Sequence, residues 1–286
     1  MMDLVDAYDP GYGPLVETTV RVATWNLWAT YGPWEARQPA IHDTLRRAAP
    51  DIVALQEVYE SLDGGRNQAE EIARTLAHDH HVFAPNLVMG EYRAGNAIVS
   101  RWPIRRHEVR TLPRIVDPVA DDEGEERLCV FAEIDGPRGP MQVFCAHLSW
   151  RGDHSAIRQA QASAIAQFVR EKRPRSFPAL LCGDLNSTPD SDEIRMLTGR
   201  AAVPVRGVWF HDLWEHAGQG AGHTAANSNP WFAKSLDVDR RIDYILAGDP
   251  KLGGVGHVLD IAIIGDDPFE GVVGSDHYGL VANLRY

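Results

Sequence analysis

Positive charge is scarce in this chain. Its 286 residues carry 28 Lys and Arg against 40 Asp and Glu, a formal net charge of −12 with a pI near 5.4. Nucleic-acid binding driven by counterion release draws on Lys and Arg, so this balance argues against a broad electrostatic grip on a polyanion. A local metal site that offsets carboxylate charge stays compatible with it. Cysteine is scarcer still: Cys129, Cys145 and Cys182 lie in apolar strand-like runs, without CxxC pairing or zinc-site spacing, and read as small core residues. No apolar run is long enough to cross a bilayer, and "MMDLVDAYDPGYG" lacks the basic and apolar regions of a signal peptide. The expectation is a cytoplasmic, reducing location.

What is present is the composition of a globular protein, 44% hydrophobic and 24% charged, which leaves disorder out. No linker, repeat or low-complexity segment divides the chain, which predicts a polar tail over 1–18 and one domain over 19–286. "VRVATWNLW" reads as a strand buried on both faces and ending near Asn26. "PAIHDTLRRAAPD" puts Ile41, Leu45 and Ala48 on one helical face before Pro50. "DIVALQEV" is the next strand, ending near Glu57, and a second helix is expected over about 66–78 from the spacing of Ala69, Ile72, Ala73 and Leu76. Strands follow at "NAIVS", "LCVFAEI" and "MQVFCAHL", the last ending near His147. A third helix, about 154–171, carries Arg170, Lys172 and Arg173 at its end, where cations oppose the helix dipole. After "FPALLCGDLN" a helix is expected with Thr188 as N-cap and Pro189 first. Residues 200–238 read as long loops around a site, and "RRIDYILAG", "HVLDIAIIG" and "GLVANLRY" as closing strands.

Polar residues recur where these strands end: Asn26, Glu57, His147, Asp184 with Asn186, Asp243, and Asp276 with His277 before the last strand. Taken alone, "GDLNSTPD" is a turn. The recurrence is what points to a site. Asp184 and Asn186, two apart, share a face if the strand continues through them, and Gly274–Ser275 can turn the chain so that Asp276 and His277 reach one place. These residue types suit phosphoester hydrolysis, which calls for a hard cation with oxygen ligands, a base for water and donors for phosphate oxygens. On that chemistry Glu57 anchors Mg²⁺, Asp184 holds or deprotonates water, and Asn26 and Asn186 donate hydrogen bonds or complete the metal's outer shell. Asp243 orients a charged His277, and His147 does the same work from the other side.

The set "TWNLW" (24–28), "LQEV" (55–58), "CAHLSW" (145–150), "LLCGDLNSTP" (180–189), "RRIDYIL" (240–246) and "GSDHYGL" (274–280) resembles, in order and spacing, the endonuclease/exonuclease/phosphatase superfamily. The resemblance implies a four-layer α-β-β-α sandwich of the deoxyribonuclease I type, an α/β fold with two packed mixed sheets and its site at one edge. It implies Glu57 as primary Mg²⁺ ligand, with Mn²⁺ a possible substitute, and Asn26 and Asp276 as supporting metal groups. It further implies His147, Asp184, Asn186, Asp243 and His277 as catalytic residues acting on a phosphorylated substrate, a nucleic acid or a small phosphoester. "QEV" and His147 are closer to the deoxyribonuclease I, neutral sphingomyelinase and tyrosyl-DNA phosphodiesterase side of the superfamily. With Lys172, Lys234 and Lys251 as its only lysines, the chain lacks a lysine-rich phosphoinositide pocket.

Other motifs have ordinary explanations. "HDHH" (78–81) reads as a solvated helix end, "DDEGEE" (121–126) as an acidic turn, and "RWPIRRHEVRTLPR" (101–114) as an edge strand protected by charge. The Trp residues of "VWFHDLW" and "NPWF" suit base stacking and core packing equally. Arg241 can face phosphate or pair with a carboxylate.

Overall fold

The computed structural model describes residues 18–114, 126–173, 176–251 and 253–286. The expected tail, apart from Thr18, and the acidic turn, apart from Glu126, lie outside them. In chain order the elements are β1 (Thr19–Asn26), α1 (Trp34–Ala48), β2 (Ile52–Ser61), α2 (Gln68–Thr75), β3 (His80–Met89), β4 (Tyr92–Ser100), β5 (Ile104–Thr111), β6 (Leu128–Gly136), β7 (Gly139–His147), α3 (Ser155–Lys172), β8 (Leu180–Asp184), α4 (Asp192–Leu197), β9 (His211–Asp212), α5 (Leu213–Ala217), β10 (Asp243–Ala247), β11 (Val258–Ile264) and β12 (Gly279–Arg285).

Two six-stranded mixed sheets result, ordered β11-β12-β1-β2-β4-β3 and β5-β6-β7-β8-β10-β9. Strand alternation builds the layers. In β2, Ile52 and Ala54 enter the core between the sheets while Val53 and Leu55 pack outward with Ile41, Leu45 and Ile72 of α1 and α2. In β7, Val143 and Cys145 face inward while Phe144 and Ala146 meet Ile165 and Phe168 of α3. Central strands are therefore apolar on both faces, as strands covered on both sides must be. The three described cysteines are free and buried, as expected of small core residues.

The parallel pairs β1–β2 and β7–β8 position the site. Their crossovers, α1 and α3, return the chain so that both strands of a pair end at the same edge. His147 and Asp184 are register partners there. Because β10 runs antiparallel to β8, its first residue, Asp243, lies opposite Asp184. Gly183 makes the approach possible: a Cβ there would stand 1.9 Å from the Ala146 carbonyl oxygen, and φ is 145°.

Several elements differ from the sequence reading. Helix α1 begins at Trp34 and runs through Pro39, which lies on its exposed face and near its start, where a missing N–H disturbs the helix less than in its middle. β2 does not stop near Glu57 but continues to Ser61 through a register shift between Leu55 and Val58. "HDHH" is no helix end, since His80 and His81 open β3. Ser191, not Thr188, caps α4, with Thr188–Ser191 forming a separate turn. Asp243 starts its strand instead of ending one. The 200–238 region holds β9, α5 and a 3₁₀ turn at Phe232–Ser235 between its loops. β5 is the expected charged edge strand, with Arg105, Arg106 and Arg110 paired to Asp135, Glu133 and Glu171. Among the described residues no helix is long and apolar enough to cross a membrane.

Candidate active site

The strand ends of both sheets meet in a cleft of ≈ 360 Å³ lined by Glu57, His147, Asp184, Asn186, Asp276 and His277, with Trp28, Tyr31, Arg127 and Trp150 among its other walls. Asn26 is buried behind it and joins the sheets. Its amide nitrogen donates to Glu57 Oε1 at 3.2 Å and to Asp184 Oδ2 at 3.1 Å, and its oxygen accepts from the Trp28 amide at 3.0 Å. Both Asn26 N–H groups are thereby spent on the carboxylates.

Backbone strain concentrates here. Glu57 (φ 52°) and Asn186 (φ 49°) are both left-handed, a conformation that costs non-glycine residues and is kept where surrounding structure enforces it. For Glu57 the cause is the irregularity in β2, which turns it out of the ladder. Asn186 lies two residues beyond the end of β8, so strand alternation does not bring it beside Asp184. A turn does: the Asn186 amide donates to Asp184 Oδ1 at 2.9 Å, and its side chain donates to the Leu148 carbonyl at 3.1 Å. The 274–277 turn is organised by Ser275, whose hydroxyl donates to the Asn26 carbonyl at 2.7 Å and accepts from the His277 amide at 3.3 Å.

The two histidines are electrostatically opposite. His277 Nδ1 donates to Asp243 Oδ2 at 2.9 Å, and its Nε2 lies 3.8 Å from Asp184 Oδ2. Burial opposes its charge, but Asp243, Asp184 and Asp276 outweigh burial and hold its pKa well above 6.5. His147 Nε2 is 3.4 Å from the same Asp184 oxygen, yet burial, with Arg127 and His277 nearby, drives its pKa well below 6.5. A neutral His147 therefore cannot duplicate the charged role of His277.

Two groups of acids share the cleft. Asp184, Asp243 and His277 offer atoms within 4.8 Å of one another, and there the imidazolium offsets one of the two carboxylate charges. Among the described residues Glu57 and Asp276 have no ion-pair partner, although the His277 charge acts on both from a distance. Burial and then the Asp276 charge raise Glu57 to about 7, and burial likewise raises Asp276. Arg37, whose charge also reaches both acids, directs its guanidinium at the carbonyls of Leu27, Trp28, Ala29, Tyr31 and Gly274. Glu57 and Asp276, half-buried and mutually repelling, with the Asn26 amide beside Glu57, are a hard-oxygen set of the kind that could hold a divalent cation, as is the tighter trio.

Sequence reasoning missed Arg37 and Arg127. Arg37 falls in the helical turn before Pro39; buried, it clamps the loop after β1, where Trp28 and Ala29 have positive φ. Burial lowers its pKa to about 10, leaving it charged at neutral pH. Its signal was an Arg in the first turn of a helix following a motif strand. Arg127, at the start of β6, lines the cleft; nothing in "EERLCVF" marks it. Arg241 pairs with buried Asp212 at 2.6 Å.

Behind the cleft, Arg158 and Glu193 hold its loops. The guanidinium donates to Glu193 at 2.6 Å and to the carbonyls of Ser149 and Arg151, while Ser187 and Ser155 donate to the same carboxylate. Burial raises the Glu193 pKa, but the Ser187 and Arg158 hydrogen bonds prevail and lower it below 4.5. Glu193→Ala, which leaves Arg158 buried without its partner, is expected to cost about 3–5 kcal/mol in urea denaturation at pH 7. A depressed acid contributes stability above its unfolded pKa and loses it as pH falls through the folded value, so the gap between variant and wild type should narrow below pH 4.5. A constant gap would show that the pair carries no pH-dependent stability.

The two packed mixed sheets with helices outside make an α-β-β-α sandwich. The chain belongs to the Endonuclease/Exonuclease/phosphatase family, whose sequence profile matches residues 23–277, and members of this family hydrolyse phosphoester bonds. Over 179 residues it is 32% identical to YbhP of Escherichia coli, covering 58% of this chain and 66% of that protein, so it spans just under two thirds of that relative. Over 292 residues it is 23% identical to human sphingomyelin phosphodiesterase 2, covering 95% of this chain and 66% of the human protein. The crystal structure of an endonuclease/exonuclease/phosphatase from Beutenbergia cavernae superposes with a TM-score of 0.71 at 23% identity, over 94% of this chain and 72% of that one.

Proposed function

We propose that the protein is a divalent-metal-dependent phosphoester hydrolase of the phosphodiesterase or nuclease type. The observation that carries this reading is the pairing of a charged His277, held by Asp243 at 2.9 Å, with the mutually repelling Glu57 and Asp276 carboxylates in one cleft. Mg²⁺, or Mn²⁺ in its place, held by Glu57, Asp276 and the oxygen-rich surroundings of Asn26, would supply Lewis acidity to a phosphate oxygen.

The chain's own residues supply the rest. Asp184, fixed by Asn26 and the Asn186 amide, orients the attacking water and accepts its proton as the new O–P bond forms. The remaining Asn186 N–H donates to a phosphate oxygen. On the far side of phosphorus the P–O bond to the leaving group breaks, and His277 Nε2–H gives its proton to that oxygen, with Asp243 stabilising the charged ring beforehand. Neutral His147 braces Asp184. Trp28 and Trp150 bound the mouth of the cleft.

The test is a panel of phosphodiesters and phosphomonoesters, including plasmid DNA, bis(p-nitrophenyl) phosphate, a choline phosphodiester and nucleoside monophosphates. Turnover is expected with Mg²⁺ or Mn²⁺ and none with EDTA. Turnover that persists in EDTA sinks the metal reading, and cleavage confined to monoesters replaces the diester reading by a phosphatase one.

A further inference from the structure

A second cavity of ≈ 400 Å³ lies at the opposite end of the second sheet. β8 ends in the cleft at Asp184, whereas Pro178 and Ala179, just before its start, line this cavity; β10 begins in the cleft at Asp243, whereas Gly248, just past its end, lines it. Three cations stand around it: Arg170 and Arg173 from the end of α3, and Lys251 from the segment after β10. None of their side chains has a hydrogen-bond or ion-pair partner among the described residues. Close by, the opposite is the rule: Lys172 is paired with Glu108 and Arg110 with Glu171. The acid lining the cavity, Asp249, is held by His211 Nε2 at 3.0 Å. Compensation of the α3 dipole does not account for the cluster, because Lys251 comes from a different element.

The rest of the lining is apolar. Val208 and Phe210 are buried beneath it, and the Trp209 indole, 36% exposed, is braced by the His211 ring at a centroid distance of 4.6 Å. In a chain of net charge −12, an anion is repelled unless local donors outweigh the global field. Paired arginines suit phosphate oxygens, and a braced indole suits a planar ring. The volume matches a small organic ligand.

We propose that this cavity is a binding site, separate from the cleft, for a nucleoside monophosphate, its phosphate taken by Arg170, Arg173 and Lys251 and its base laid against Trp209. Titration calorimetry of the intact chain with AMP in EDTA tests it. Saturable binding is expected that the double charge reversal Arg170→Glu with Lys251→Glu weakens by about a hundredfold, since each of the two charge-assisted hydrogen bonds lost is worth about tenfold. Glu57→Gln, in the cleft, should leave the binding unchanged. Adenosine, without phosphate, and ribose 5-phosphate, without the base, should each bind at least about tenfold more weakly than AMP. An unaltered Tm and unaltered basal hydrolysis report that the charge-reversed variant is folded. No AMP binding, binding indifferent to the charge reversal, or binding removed by Glu57→Gln overturns the site; ribose 5-phosphate binding as well as AMP overturns the role of Trp209.

Discussion

Glu57→Gln is expected to reduce phosphoester turnover by on the order of 10³-fold and, in the same molecule, to raise the stability of the metal-free protein. The two effects share one cause. Glu57 is half-buried beside Asp276, and its pKa stands at about 7 against an ordinary 4.5. An acid with a raised folded pKa destabilises the fold above that value, where it must ionise, and costs nothing below its unfolded value, where it is protonated in both states. The displacement from 4.5 to about 7, at ~1.4 kcal/mol for each pH unit, is on the order of 3 kcal/mol. The neutral amide removes that cost and keeps an oxygen able to accept from Asn26. In EDTA the variant should therefore gain stability over wild type at pH 8 and none at pH 4.5. Adding Mg²⁺ should narrow the gap at pH 8, because only wild type keeps the full carboxylate pair. Paired denaturation curves at the two pH values, with and without Mg²⁺, measure this. A variant less stable than wild type at pH 8 in EDTA would show that ionising Glu57 does not cost the fold stability.

His277→Gln is expected to act with the opposite sign on stability. Turnover should fall by about 10²–10⁴-fold, the range for loss of a positioned proton donor. Removing the imidazolium leaves Asp243 and Asp184 facing each other in a buried setting, with a cost of about 3–5 kcal/mol. A base whose folded pKa is raised contributes stability that is complete below its unfolded pKa and is lost as pH climbs through the folded one. Since His277 is held well above 6.5, the difference between variant and wild type should be full below pH 6.5 and decline above it, until pH has passed the raised folded pKa. The double variant Asp243→Asn with His277→Gln should recover stability relative to His277→Gln alone, because the orphaned carboxylate is gone, and should recover no activity. Equal stability of the single and double variants would separate the two side chains energetically, despite their 2.9 Å contact.

The two variants are expected to differ in sign because the two groups of acids start in different charge states. Asp243 and His277 arrive with their charges already matched. Glu57 and Asp276 arrive unmatched, and the mismatch is what a divalent cation would relieve. Arg37 makes the mismatch tolerable by supplying positive charge at a distance while its hydrogen bonds go to the backbone.

The residue types and their order along the chain were enough to give the family and the layered α/β architecture, and to single out polar residues, Glu57, His147, Asp184, Asn186, Asp276 and His277, that the fold brings to one cleft, because buried strands are apolar and a polar residue at the end of one is conspicuous. Sequence also gave the edge-strand character of 104–111 and the inert cysteines. What it lacked was everything that depends on departures from regular geometry. Glu57 sits in an irregularity inside a strand that continues to Ser61. Asn186 reaches Asp184 through a turn beyond its strand. Asp243 comes first in its strand, which matters only once that strand is known to run antiparallel to β8. Arg37 and Arg127 became visible only through burial and proximity, since an arginine in a helix or at a strand start looks solvated until its surroundings are placed. The charge states of His147 and His277 were likewise decided by tertiary structure alone. Identical side chains titrate in opposite directions there, because one ring is surrounded by carboxylates and the other by burial and cations, and no local pattern of residues records that difference.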